Sequence, residues 1–136
     1  MANYKSACEN YLDRQGIKYT EVKDNVLRIV YNADNMNSIK ILVIFDKDGD
    51  DDIAFRCFEI TPFKDREAAG MVVCNELNNQ YRWVKFCIDK DSDIVCEADA
   101  IVDMDSVGPE VMRIVKLMVN IVDKAYPTIM KYKFGD

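Results

Sequence analysis

The chain has 136 residues, with 18 basic and 24 acidic side chains, a formal net charge of −6 and a pI near 4.7. At 49% hydrophobic and 31% charged residues it has the balance of a globular chain, and its length predicts one domain over 1–136 that buries about two-thirds of its unfolded surface. Acidity argues against binding to a phosphate backbone. The complete lack of histidine removes the commonest general base and the commonest metal ligand together.

The five cysteines, Cys8, Cys57, Cys74, Cys87 and Cys96, are odd in number and form no CxxC pair. They read as reduced, mostly buried thiols of a cytoplasmic protein, not as a disulfide scaffold or zinc knuckle. Met1 to Gln15 carries Lys5, Glu9, Asp13 and Arg14 without an apolar stretch, so no signal peptide is expected. The longest apolar run, Ile41 to Phe45, falls far short of the twenty or so residues of a membrane span.

In chain order, Tyr4, Ala7, Cys8, Tyr11 and Leu12 recur at helical spacing, which predicts a helix over Asn3–Arg14 ended by Gly16. Tyr19–Lys23 reads as a short extended lead-in. Val26–Asn32 alternates as a half-buried strand. Ser38–Lys47 has no polar face at its centre, so cover on both sides is expected. After an Asp48-Gly49-Asp50 turn, Asp52–Ile60 returns as a strand apolar on both faces, and Thr61-Pro62 breaks it.

Lys64–Asn79 reads as a helix with Asp65 and Glu67 at its positive end. Arg82–Asp89 and Ile94–Val102 form a hairpin. A three-residue loop, Lys90-Asp91-Ser92, sets Ile88 opposite Ile94, Phe86 opposite Cys96 and Val84 opposite Ala98. It also pairs Lys85 with Glu97 on the other face and separates Cys87 from Cys96. Gly108-Pro109 opens the last helix, with Pro109 at its first position, and Pro127 ends or kinks it near Lys124. Its apolar stripe is Val111, Val115, Met118, Val122 and Ala125, widened by Met112, Ile114, Val119 and Ile121. The expected class is α+β, an antiparallel sheet with helices in the order α-β-β-β-α-β-β-α.

The chemistry is sparse. No glycine-rich phosphate loop and no GxSxG elbow occurs, and a histidine-based nucleophile is impossible. The reading is not an enzyme, with no cofactor and no metal. Asp46 to Asp52 invites comparison with a calcium loop. Its glycine stands at position 4 instead of 6, and position 12 would be Cys57 instead of glutamate. A solvated hairpin turn fits better.

Asn75 and Asn78 read as closing a helix end, where asparagine tolerates left-handed backbone, with ligand binding as the alternative. Trp83, the only tryptophan, is either a partner anchor or part of a second buried face. Trp83, Met112 and Val119 are the candidate ligand- or partner-binding side chains. The surplus apolar surface is covered either by helices on both sheet faces or by a second protomer or client.

Cys74 to Phe86, an N-x-x-N helix end (Asn75, Asn78) leading into the aromatic and basic strand Tyr81-Arg82-Trp83-Val84-Lys85-Phe86, resembles the YbjN family signature. The hairpin Ile88 to Ala100 and the helix after Gly108-Pro109 are similar too. That resemblance implies a bacterial sensory transduction regulator with a fold like that of type III secretion chaperones, helices against an antiparallel sheet. It supplies no catalytic residues, and Asn75 and Asn78 match its pattern without a known role.

The combined expectation is a cytoplasmic, non-enzymatic regulatory or chaperone-like module. It binds a protein partner or itself, as a homodimer, and neither nucleic acid nor membrane. The alternative is a small-ligand domain with a pocket between the last helix and the sheet. The acidity is local: Asp46–Asp52 holds five acids and one lysine, Asp89–Asp93 three acids and one lysine. These two turns account for the whole net charge and leave the helix and sheet faces free to meet another protein.

Overall fold

The computed structural model describes residues 3–135; Met1 and Ala2 of the segment read for targeting lie outside them. Asn3 accepts a hydrogen bond from the Ser6 amide and so starts α1 (Tyr4–Gln15); Gly16, in left-handed backbone, closes it with its amide on Asp13. Four strands follow: β1 (Thr20–Lys23), β2 (Val26–Asn32), β3 (Ser38–Phe45) and β4 (Asp52–Pro62). Then come α2 (Glu67–Gln80), the hairpin β5 (Lys85–Ile88) and β6 (Asp93–Ile101), and α3 (Val107–Phe134). All neighbours in the six-stranded sheet, ordered β1-β2-β3-β4-β6-β5, are antiparallel. The α+β class holds, with one strand more than the expected order because the lead-in at Tyr19–Lys23 pairs with β2 as β1.

The hairpin register is the expected one: Lys85 faces Glu97, Phe86 faces Cys96 and Ile88 faces Ile94. Asp89 organises the loop. Its Oδ1 accepts the Asp91 and Asp93 amides, and Ser92 takes left-handed backbone. The Val84–Ala98 pair is not formed, because Trp83 at φ 78° interrupts the strand before Lys85. β4 does not stop at Thr61. It passes a bulge in which Glu59 has φ 54°, then pairs Thr61 with Ile94 and Pro62 with Asp93. Left-handed Asp65 delays α2 until Glu67, leaving Asp65 outside the helix.

Two expectations about α3 are corrected. Val107 and Gly108 precede Pro109 inside the helix, and the helix continues through Pro127 to Phe134. Proline at 127 leaves the Asp123 carbonyl without its usual amide. The Asn35 side chain supplies a replacement, donating from Nδ2 to that carbonyl at 3.0 Å. Met112, given as a candidate contact, is only 3% exposed and packs in the core.

The three helices lie on one side of the sheet. The core joins Cys8 and Leu12 of α1, Val73 and Leu77 of α2 and the α3 stripe to one strand face: Leu27, Ile29, Ile41, Val43, Phe55, Cys57, Phe86 and Cys96. Gly108 lets α3 approach α1 closely, since a Cβ there would stand 2.3 Å from the Tyr11 ring. The expected cover on both faces of β3 and β4 is therefore absent among the described residues. Along β3, Ile39, Ile41, Val43 and Phe45 are buried, while Leu42 and Ile44 remain partly open.

Candidate protein-interaction surface

The side of the sheet away from the helices is built by register. One row runs Thr20, Arg28, Leu42, Arg56, Glu97 and Lys85 across all six strands. Beside it runs Val26, Ile44, Ala54 and Asp99, and Val30 pairs with Lys40. Ile101, paired with Asp52, stands 80% exposed, and Val30 49%. Phe58 follows core-facing Cys57 and is exposed as well. Val26 and Val95 are buried yet stand outside the helix-side core.

The charges on this face are not equivalent. Arg56 is well partnered: Nη1 lies within hydrogen-bond distance of the Phe55 and Ala98 carbonyls, each at 2.9 Å, and of Asp99 Oδ1 at 3.0 Å. Glu97 lies 3.6 Å from Arg56 and 3.2 Å from Lys85, realising the expected cross-strand pair. Arg28 differs. Its Nε is buried without a hydrogen-bond partner, and no carboxylate pairs with it among the described residues. A wide depression beside Arg28 is lined by Ile17, Lys18, Tyr19 and Val30.

The asparagines have a different task from the one their spacing suggested. The residue that follows α2, Tyr81, is extended (φ −108°), so no left-handed asparagine closes the helix. Instead Asn78 clasps edge strand β5. Its Nδ2 donates to the Phe86 carbonyl at 2.9 Å, and its Oδ1 accepts the Phe86 amide at 2.7 Å. The side-chain amide thus occupies the hydrogen-bonding groups that a further strand would use. Asn75 contributes its carbonyl, which accepts from Asn79.

Trp83 is 72% exposed at the entry to β5, with the Arg82 guanidinium 5.2 Å from its ring. Val119 lines a cavity of about 210 Å³ between α3 and the β2–β3 turn, together with Tyr31, Asn120 and Asp123. The structure does not bring Trp83, Met112 and Val119 together: one is at a sheet edge, one in the core and one beside a distant turn. The open face stood as one of two alternatives, because its apolar positions, read along β3 and β4, resembled a second buried side. The signal that could have found it is the cross-strand charge row, which a buried face would not carry.

At the β3–β4 turn, carboxylate atoms of Asp46, Asp50 and Asp52 lie within 4.8 Å of one another. Asp46 also accepts the Asp48 and Asp50 amides. The turn is flanked by strands, whereas a calcium loop of the EF-hand kind is flanked by helices.

Fold and surface together define a two-layer α+β protein, helices on one side and a bare, mixed apolar and charged sheet on the other. The chain belongs to the YbjN family, whose model, described as "Putative bacterial sensory transduction regulator", matches residues 7–130. Among curated proteins no match is found. No described helix is long and apolar enough to cross a membrane.

Proposed function

We propose that this chain is a non-enzymatic regulatory or chaperone-like module that binds protein through the open face of its sheet. One observation carries the reading. All three helices pack on one side, and the other keeps Val30, Leu42, Ile44, Ala54, Phe58 and Ile101 wholly or partly open. Exposed apolar side chains interleaved with charged ones fit a docking surface. The family description as a regulator agrees with it, and the lack of histidine leaves ordinary acid–base catalysis without its commonest agent.

A ligand pocket between the last helix and the sheet has less support. The cavity there measures about 210 Å³, under the range of roughly 300–1,000 Å³ typical of ligand sites, and Trp83 does not line it; the larger depressions of the chain lie elsewhere. Affinity capture from the source cell tests the proposal. The native chain is compared with a Val30→Asp/Ile101→Asp variant and with Met71→Asp on the helix side. Specific partners lost only with the double variant are expected; partners lost only with Met71→Asp would move the site to the helices.

A further inference from the structure

We propose that the open sheet face receives an acidic segment of another protein, whose carboxylates meet Arg28 and Lys40 on β2 and β3. The inference rests on that face being a protein-docking surface, and names the chemistry of its partner. Among the positions of β2 and β3 that face away from the helices, two are cations, Arg28 and Lys40, and none is an acid. Neither cation is in an ion pair among the described residues. The acids of the other half do not serve them. Glu97 and Asp99 are taken by Arg56 and Lys85 of the same chain. Asp52 stands two rows from that of Arg28, on the side away from Lys40.

Lys40 is exposed to water, but Arg28 is half-buried with its Nε enclosed and unpartnered. A poorly hydrated guanidinium gains more from a carboxylate than a solvated cation does. Arg28 pairs with Leu42 in one row and Val30 with Lys40 in the next, so two cations and two apolar side chains alternate as a checkerboard. Diagonal neighbours of an antiparallel pair stand about 7–8 Å apart. Two glutamates separated by one residue on an extended segment stand about 7 Å apart and match that diagonal. The depression beside Arg28, walled by Ile17, Tyr19 and Val30, receives an apolar side chain of the same segment. Lys18 lines it as a further cation, and Asp13, its one acid, makes no ion pair with either.

Titration of the isotope-labelled chain with the blocked peptide Leu-Ser-Glu-Ser-Glu-Ser-Leu, followed by NMR, tests this. Shifts are expected at the amides of β2 and β3, those of Arg28, Val30 and Lys40 included, with weaker binding at high salt. The counterpart peptide with glutamine for both glutamates should bind about tenfold more weakly. The glutamate peptide should lose affinity similarly for an Arg28→Gln chain of unchanged melting temperature, and for Lys40→Gln, which alters only an exposed position. Absence of shifts on the face, equal binding of the glutamine counterpart, or binding indifferent to both substitutions would overturn the inference. Inorganic phosphate binding the same amides as tightly would overturn it in favour of a small anion. Shifts of those amides on dilution of the chain alone would overturn it in favour of a second copy. If the inference falls while protein capture from the source cell is still lost with Val30→Asp/Ile101→Asp, the docking reading stands and only the acidic partner is withdrawn.

Discussion

At Asp123 a single side chain ties two distant parts of the sequence together. Its carboxylate accepts the amides of Asp34, Asn35 and Met36 at 3.2, 2.8 and 3.0 Å, while its carbonyl takes Asn35 Nδ2. Desolvation, the largest single influence, pushes the carboxyl upward. The Met36, Asn35 and Asp34 amides together outweigh it and hold the pKa below the usual aspartate value. A carboxyl depressed by folding contributes stability above its unfolded pKa, near 3.9, and that contribution is lost as pH falls through the folded value. Asp123→Ala should therefore cost about 1 kcal/mol at neutral pH. Urea unfolding of both chains should show the difference shrinking as pH drops below about 4.

Asn78 makes the second residue-scale case. Asn78→Ala leaves the Phe86 amide and carbonyl without their partners, at a cost of about 1–3 kcal/mol. Hydrogen exchange should show the Phe86 amide losing protection before the β6 amides do. Unchanged protection at Phe86 would mean that the clasp is not held in solution.

Among the elements, the β5–β6 hairpin was legible because its evidence is local: loop length, apolar alternation and one Lys–Glu pair agree on one register. The length of α3 was not, because the carbonyl that Pro127 leaves unpaired, that of Asp123, is taken by an asparagine 88 residues before Asp123. β1 was read only as a lead-in since its four residues are all exposed and carry no hydrophobic pattern. The α2 start and β5 start were each placed too early, because Asp65 and Trp83 adopt left-handed backbone that their residue types do not announce. The contact between α1 and α3 yields a test at this scale. Gly108→Ala would drive a methyl into Tyr11 and should destabilise by about 1–3 kcal/mol, read as a lowered urea midpoint with unchanged slope.

For the whole molecule, the two acidic turns stand at opposite ends of the sheet, since Asp52 pairs with Ile101 at one end of β4 and Pro62 with Asp93 at the other. The net charge therefore repels at the tips and leaves the open face mixed in sign. The thiols fit a reduced interior. Burial pushes Cys8 and Cys57 up to about 12 and Cys74 to about 11, and raises Cys96 further. Cys87, less covered, is raised too, by burial first and then by nearby Glu97. A thiol reagent at neutral pH should label Cys87 first and the other four only on unfolding; rapid labelling of a second thiol in the folded state would contradict this packing.

Of the candidate site, the surplus of apolar surface was readable in the sequence. Its location was not, because strands with apolar residues on both faces do not say which face the helices take. The most direct test of the bare sheet as a docking surface is site-specific photo-crosslinking in the source cell. The crosslinker is placed at Val30 or Ile101 on the open face and, for comparison, at Met71 on α2. Discrete protein adducts are expected from Val30 and Ile101, to a second copy or another protein, and none from Met71. Adducts from Met71 alone would contradict that expectation.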